Sequence, residues 1–483
     1  MRFLSTQNMV KEKNRCGEIP ASREAYGASL RLAVPAVIEM VSITLMGMID
    51  TVMVGRLDGD GVAVAAVGLT FQPRMVFLSV FFAINIAVTA IIARNKGAGD
   101  MRAVRSCLKI ALVLNLFLGI AVTIISVLLA RPTMMLAGAQ PDTIVPAASY
   151  FRIISFALLL QVMTMTICAA QRACGNTKIT MKVNVVAKVL SVALNFLLIE
   201  GRFGFPRLEV NGAALSTVIA TAVAFCLAAI TVLQRNSDLK ILTPRKSFAL
   251  QNPEPPLEKR FAIDFPMLRN ITGLATNGFV EQIGLRVGFF LYALVVANLG
   301  TTEFAAHLIA MQLMGLSFTF ADGIGIATTA LVGQNLGAKR PDLSIMYGKI
   351  GLRLALAIAA ILSVICVAIR FRFPMLFTNS PEIIATAAGL ILILALIMPF
   401  QTAQVVMGGS LRGAGDTRFV AITMLITVGI MRPLGGLLFT YTLGLGLTGA
   451  WLAIILDQGV RLTLLLTRFI RGKWITLKIK GDS

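Results

Sequence analysis

This chain carries most of its long apolar sequence twice, and that repetition constrains its fold more than any other feature. Gly97-Ala98, within Ala-Arg-Asn-Lys-Gly-Ala-Gly-Asp (93–100), returns as Gly337-Ala338 within Gly-Gln-Asn-Leu-Gly-Ala-Lys-Arg (333–340). Arg172, Gly175, Thr177 and Lys178 return as Arg412, Gly415, Thr417 and Arg418, Ala65-Ala66 as Ala305-Ala306, Glu39 as Glu281, and Gly212-Ala213 as Gly449-Ala450. The offset stays within 237 to 242 residues. Two copies of a membrane bundle, related by an axis through the membrane, give alternating access to a shared cavity, so the duplication points to a secondary transporter.

Composition agrees: of 483 residues, 57% are hydrophobic and only 14% charged, too apolar for a soluble domain. The net charge of +21 would suggest nucleic acid in a soluble protein. Here the basic residues sit in short segments between apolar runs, so membrane topology explains them and no nucleic acid partner is expected.

About 20 residues cross the hydrocarbon core, and twelve stretches qualify: 29–54, 62–92, 103–130, 144–170, 178–200, 211–234, 269–298, 303–334, 343–369, 383–410, 419–443 and 447–467. With the N-terminus inside, the inner segments collect most of the basic residues, from Lys11, Arg23, Arg94 and Lys96 to Arg468, Arg471 and Lys473. The outer loops keep Arg56, Arg131, Arg202, Arg207, Arg370 and Arg372. The positive-inside rule therefore places both termini in the cytoplasm of a multi-pass protein of the cell (inner) membrane. Six helices per copy make the repeat parallel.

The expected fold is thus an all-α integral membrane protein of two pseudo-symmetric six-helix bundles. A cytoplasmic segment (1–28) precedes the N-terminal bundle (29–234). A Pro-rich linker (235–266, with Asn252-Pro253-Glu254-Pro255-Pro256) leads to the C-terminal bundle (267–470) and a cytoplasmic tail (471–483). Residues 1–28 lack the apolar core of a signal peptide. Six scattered cysteines suggest neither metal site nor disulfide, and no cofactor is expected.

No Gly-x-x-x-x-Gly-Lys-Ser/Thr loop is present to hold nucleotide phosphates, and His307 is the sole histidine. Energy must then come from an ion gradient, for which a carboxylate within the membrane is the usual device. Asp50 lies roughly 28 Å along helix 1 from a start near Arg31. Asn195 on helix 5 and Thr217 on helix 6 reach similar depth, so these three form the candidate cation-coupling group. The alternative is that Asp50 is interfacial and solvated from outside.

Glu39, roughly 13 Å in, and Lys188 of helix 5, roughly 16 Å in, fall at the level of a buried ion pair, of which a structural role is the simpler reading. Glu281, Arg286, Asp322 and Arg432 are the charged candidates of the second bundle, for coupling, substrate or mutual neutralisation. The 22 methionines and 28 phenylalanines suit either a cavity for varied organic cations or ordinary packing. An enzyme would need a nucleophile-base or metal cluster, which one histidine and scattered cysteines do not supply.

Several phrases carry a resemblance. Pro35 with Asp50-Thr51-Val52-Met53-Val54-Gly55, Ala65-Ala66-Val67-Gly68, Gly97-Ala98-Gly99-Asp100, Leu299-Gly300-Thr301, Val332-Gly333-Gln334-Asn335-Leu336-Gly337-Ala338 and Leu411-Arg412-Gly413-Ala414-Gly415-Asp416-Thr417-Arg418 stand in order from about residue 29 to 470. Together they resemble the multidrug and toxic compound extrusion (MATE) family. The resemblance implies a V-shaped monomer of two bundles in the lipid membrane, exporting small cationic or lipophilic compounds in exchange for H⁺ or Na⁺. It matches Asp50 to the family's helix 1 coupling aspartate, and Asn195 and Thr217 to polar positions near it. The chain departs from the family at Ile199, where some members carry a second aspartate, and at Leu285 and Gln401, where the sodium-coupled branch carries carboxylates. Coupling through the N-terminal bundle, by H⁺ ahead of Na⁺, is the expectation. A flippase for a lipid or lipid-linked oligosaccharide is the alternative, which a strongly cationic cleft would favour.

Overall fold

The computed structural model describes residues 5–12, 15–55, 62–199, 201, 204, 206–234, 239 and 264–477. Among them the regular structure is helical, with twelve helices long and apolar enough to span a membrane. These are α1 (Ser22–Gly55), α2 (Val62–Gly97), α3 (Met101–Leu128), α4 (Ile144–Ala173), α5 (Thr177–Leu198), α6 (Glu209–Leu233), α7 (Phe265–Ala297), α8 (Thr301–Gly337), α9 (Pro341–Ile369), α10 (Pro381–Gly413), α11 (Thr417–Thr442) and α12 (Gly446–Arg471). In lipid a segment must satisfy its own backbone groups, and a helix does so within one span. Nearly all of the expected linker and the tail beyond residue 477 lie outside the described residues.

Several helices extend beyond the apolar runs that announced them. α1 begins at Ser22, seven residues before the expected start, because Ser22, Arg23 and Glu24 are polar residues that continue a helix into water. The segment before it is not a free tail either. Met9 and Val10 are buried with Met346 and Ile350 of α9, Lys349 donates to the Met9 carbonyl at 2.6 Å, and Arg340 donates to the Glu18 carbonyl at 2.8 Å.

The repeat extends to the backbone. After α2, Gly99 takes φ 77°, and after α8 its counterpart Lys339 takes φ 58°. In both turns an amide reaches back five residues, from Asp100 to the Asn95 carbonyl at 3.0 Å and from Arg340 to that of Asn335 at 2.9 Å. This is the left-handed closure that satisfies the last carbonyls of a helix. Gly175 after α4 and Gly415 after α10 match as closely, at φ 89° and 88°.

By packing, the chain forms two compact units: Met1–Met40 with Thr276–Asp482, and Val41–Ala275. The covalent repeats were expected to divide at the linker, whereas α1 and α7 are each shared between the units. The second of these units has cores around Phe151, Met134 and Val210 and around Leu78, Phe81 and Leu158. The first has cores around Tyr292, Trp451 and Met398 and around Val406, Leu465 and Phe469. Small residues let helices meet closely inside each unit, as where a Cβ on Gly212 of α6 would lie 2.5 Å from the Leu198 carbonyl oxygen. Large apolar side chains such as Phe117, Val364 and Leu396 stay exposed, as lipid contact requires.

α11 is irregular. Leu425–Met431 and Leu438–Thr442 are π-helical and flank Arg432–Leu437. Pro433 removes a donor from the hydrogen-bond ladder between them, and such wide turns recur at functional sites.

Candidate functional site

Seven residues, two helical turns, separate Lys188 from Asn195, so both project from one face of α5. That face meets Asp50. Asn195 Nδ2 donates to Asp50 Oδ1 at 2.7 Å, and Lys188 Nζ lies 3.9 Å from Asp50 Oδ2. Asp50 is 24% exposed and Lys188 33%, so the pair is open on one side, while Asn195 is buried. The structure thus joins Lys188 to Asp50 within one unit, whereas depth alone had paired it with Glu39. Glu39 is fully buried and belongs to the other unit.

Thr217 does not enter this group as expected: its hydroxyl donates to the Ala213 carbonyl of its own helix at 3.0 Å. The neighbouring Ser216 does, with its Oγ against Asn195 Oδ1. On a helix adjacent residues point about 100° apart, and depth arguments do not resolve which of two hydroxyls faces inward. Arg74 of α2 was also missed. Its Nη2 donates to Gln161 Oε1 of α4 at 2.6 Å, and it acts electrostatically on Lys188 and on Tyr150 of α4, which also senses Asp50. The signal was present in the sequence, since Arg74 is an arginine twelve residues inside an apolar span.

The other unit holds a different set of charges. Arg432 is buried, and its Nε and Nη2 donate to Asp457 Oδ2 at 2.9 and 2.5 Å. Arg461 Nη2 takes Asp457 Oδ1, and its Nε donates to Thr427 Oγ1 at 3.0 Å. The guanidinium of Arg432 also stands 4.9 Å over the Phe289 ring. One carboxylate between two buried guanidiniums satisfies charges that would be too costly alone. Asp457 and Arg461 were not singled out from sequence, although an Asp and an Arg at i and i+4 in α12 form a helical pair.

Glu281 pairs with Arg412 of α10, not with Arg286 of its own helix, through a 2.6 Å hydrogen bond from Arg412 Nη1 to its Oε1. Arg286 is half-buried on α7, and Asp322 of α8 is exposed, within electrostatic reach of Arg412. Gln401 is buried and donates to Ser317 Oγ at 2.7 Å and to the Met314 carbonyl at 3.2 Å, joining α10 to α8 with an amide. His307 accepts from Trp451 Nε1 at 3.2 Å within an aromatic cluster.

The family model described as MatE matches residues 35–197 and 279–437, which include Asp50, Lys188, Asn195, Glu281 and Arg432. The "uncharacterized transporter YisQ" of Bacillus subtilis is 29% identical over 91% of this chain and 93% of its own length. A "probable multidrug resistance protein NorM" of Thermotoga maritima is 28% identical over 98% and 97%. The solved outward-facing structure of a multidrug resistance MATE family transporter superposes with a TM-score of 0.81, at 20% identity over 93% of this chain and 95% of that one.

Proposed function

This chain belongs to the MATE family of membrane transporters and is not an enzyme, and from that premise we propose that it is a cation-coupled antiporter exporting small cationic or lipophilic compounds. The relative from Thermotoga maritima, named for multidrug resistance, supports this substrate class. The carrying observation is that Asp50, a carboxylate far along a membrane helix, is held by Asn195 yet stays partly open. An intramembrane carboxylate with one free approach is the device that binds a cation and alters local packing.

H⁺ fits this site better than Na⁺. Asp50 is approached by the amide nitrogen of Asn195 and the ammonium of Lys188, both donors, whereas Na⁺ requires several converging oxygens. Leu285 and Gln401 likewise provide no carboxylates at the positions used by the sodium-coupled branch. In this reading the outward-facing protein takes the cation onto Asp50 and loses affinity for substrate. Substrate leaves outward and the cation is released inward, the linkage being the differential affinity of the two states. The orientation follows the positive-inside rule, with both termini in the cytoplasm.

One observation favours the flippase reading: Lys188 and Arg74 outnumber Asp50 in this cluster, as anionic lipid headgroups would require. Ethidium accumulation in efflux-deficient cells decides between the two. Wild type lowering accumulation while Asp50→Asn, equally expressed, does not is the antiporter result. Unchanged accumulation together with headgroup translocation by the purified protein is the flippase result.

A further inference from the structure

In the coupling scheme above Lys188 has no step of its own, only a place beside Asp50, yet it is the only cation seen against the coupling carboxylate among the described residues at ion-pair distance. At 3.9 Å its Nζ is beyond the 2.7–3.2 Å range of a hydrogen bond to Oδ2. Asp50 therefore has one oxygen tied to Asn195 and the other facing a charge at the end of a four-carbon stem. That stem changes rotamer readily.

The surroundings set the charge count. α5 presents Lys188 and Asn195 to Asp50, and α4 presents Tyr150. α2 presents Arg74, which acts on Lys188 and Tyr150, and α6 reaches the cluster through Ser216 on Asn195. Among the described residues no carboxylate other than Asp50 acts on Lys188. One acid thus balances one of two bases. A positive charge arriving on Asp50 meets the Lys188 ammonium 3.9 Å away, so the two compete for one carboxylate and Lys188 withdraws as the cation binds.

The repeat supports a dedicated role. Glu39 and Arg172 recur as Glu281 and Arg412, so those charges belong to the architecture common to both copies. Lys188 and Asn195 correspond at the 240-residue offset to Val428 and Gly435, and Asp50 at the 242-residue offset of Glu39 to Tyr292. The duplicated scaffold therefore folds without a lysine at this place.

We propose that Lys188 is a tethered counter-ion for Asp50, occupying the carboxylate in the unloaded state and displaced by each transported cation. The carboxylate then never stands bare in the membrane, and the lysine sets how strongly it takes its cation. This inference rests on Asp50 being the coupling site and identifies Lys188 as the positioning residue that tunes it.

Infrared difference spectroscopy on the full chain in lipid vesicles tests this without relying on transport. The protonated Asp50 carboxyl is the band that Asp50→Asn removes. Lys188→Met lowers by about tenfold the proton concentration giving half of that band, within the usual range of coupling between two sites. Lys188→Gln gives the same shift, and Lys188→Arg, which keeps the counter-ion, stays within about twofold of wild type. A Lys188→Met titration that coincides with wild type overturns the proposal, as does a Lys188→Arg shift equal to that of Lys188→Met. Shifted titration in a protein that moves no substrate sinks the antiporter reading, and with it displacement by a transported cation, while keeping Lys188 as the counter-ion of Asp50; coupled transport with an unshifted titration overturns this inference alone.

Discussion

Arg412 Nη1 donates to Glu281 Oε1 at 2.6 Å, and these are the two residues that the duplication carries over from Arg172 and Glu39. Glu281 is 2% exposed and Arg412 21%, so the pair closes α7 against α10 in a mostly dry setting. Charges kept by both copies are thereby separated from charges found in one copy, among which are Asp50, Lys188 and Arg432.

Arg412→Ala leaves the Glu281 carboxylate buried without its guanidinium and is expected to cost about 3–5 kcal/mol. Glu281→Gln, which keeps a hydrogen-bond acceptor and removes the charge, costs less. Thermal unfolding of the detergent-solubilised variants gives the order.

In the Arg432–Asp457–Arg461 triad the aspartate serves two guanidiniums. Asp457→Asn strands both, whereas Arg432→Met leaves a one-to-one pair of Asp457 with Arg461. The aspartate variant should therefore lose about 3–5 kcal/mol and the arginine variant clearly less, read as unfolding midpoints. Equal losses would mean that charge balance is not what the triad provides.

Ser216 meets Asn195, and Thr217 bonds only its own helix in the described contacts. Ser216→Ala is expected to lower coupled transport several-fold by loosening the amide that holds Asp50, and Thr217→Ala to stay near wild type. Initial rates at matched expression check this; the reverse order would restore Thr217 to the site.

The turns after α4 and α10 hold Gly175 and Gly415 at φ 89° and 88°. Alanine there is expected to cost about 1–2 kcal/mol at each position, and by similar amounts. Gly27→Ala, in α1 with open space around the Cβ, is expected to stabilise by about 0.5–1 kcal/mol. Thermal melts of the three variants suffice.

The spans and the duplication were legible because each rests on a run of about twenty apolar residues or on a motif repeated at one offset. Asp50 and Asn195 were placed together by depth, since helical rise converts residue number into distance along a membrane normal. Rotation about the helix axis is not readable this way. Depth alone therefore does not separate Thr217 from Ser216, which meets Asn195, and it sets Lys188 level with Glu39, whereas Lys188 meets Asp50. Arg74 stands out as an arginine inside an apolar span and Asp457 with Arg461 as an i, i+4 pair, but their partners on other helices, Gln161 and Arg432, are not readable from sequence. The docking of Met9 and Val10 on α9 was hidden by the polar residues around them.

The most direct test of the account is substrate efflux from proteoliposomes of the wild type and Asp50→Asn, driven in turn by a proton gradient and by a sodium gradient. The account predicts efflux by wild type under the proton gradient, little under sodium alone, and loss of the gradient response in Asp50→Asn with substrate binding retained. Gradient-driven efflux by Asp50→Asn at the wild-type rate would contradict it.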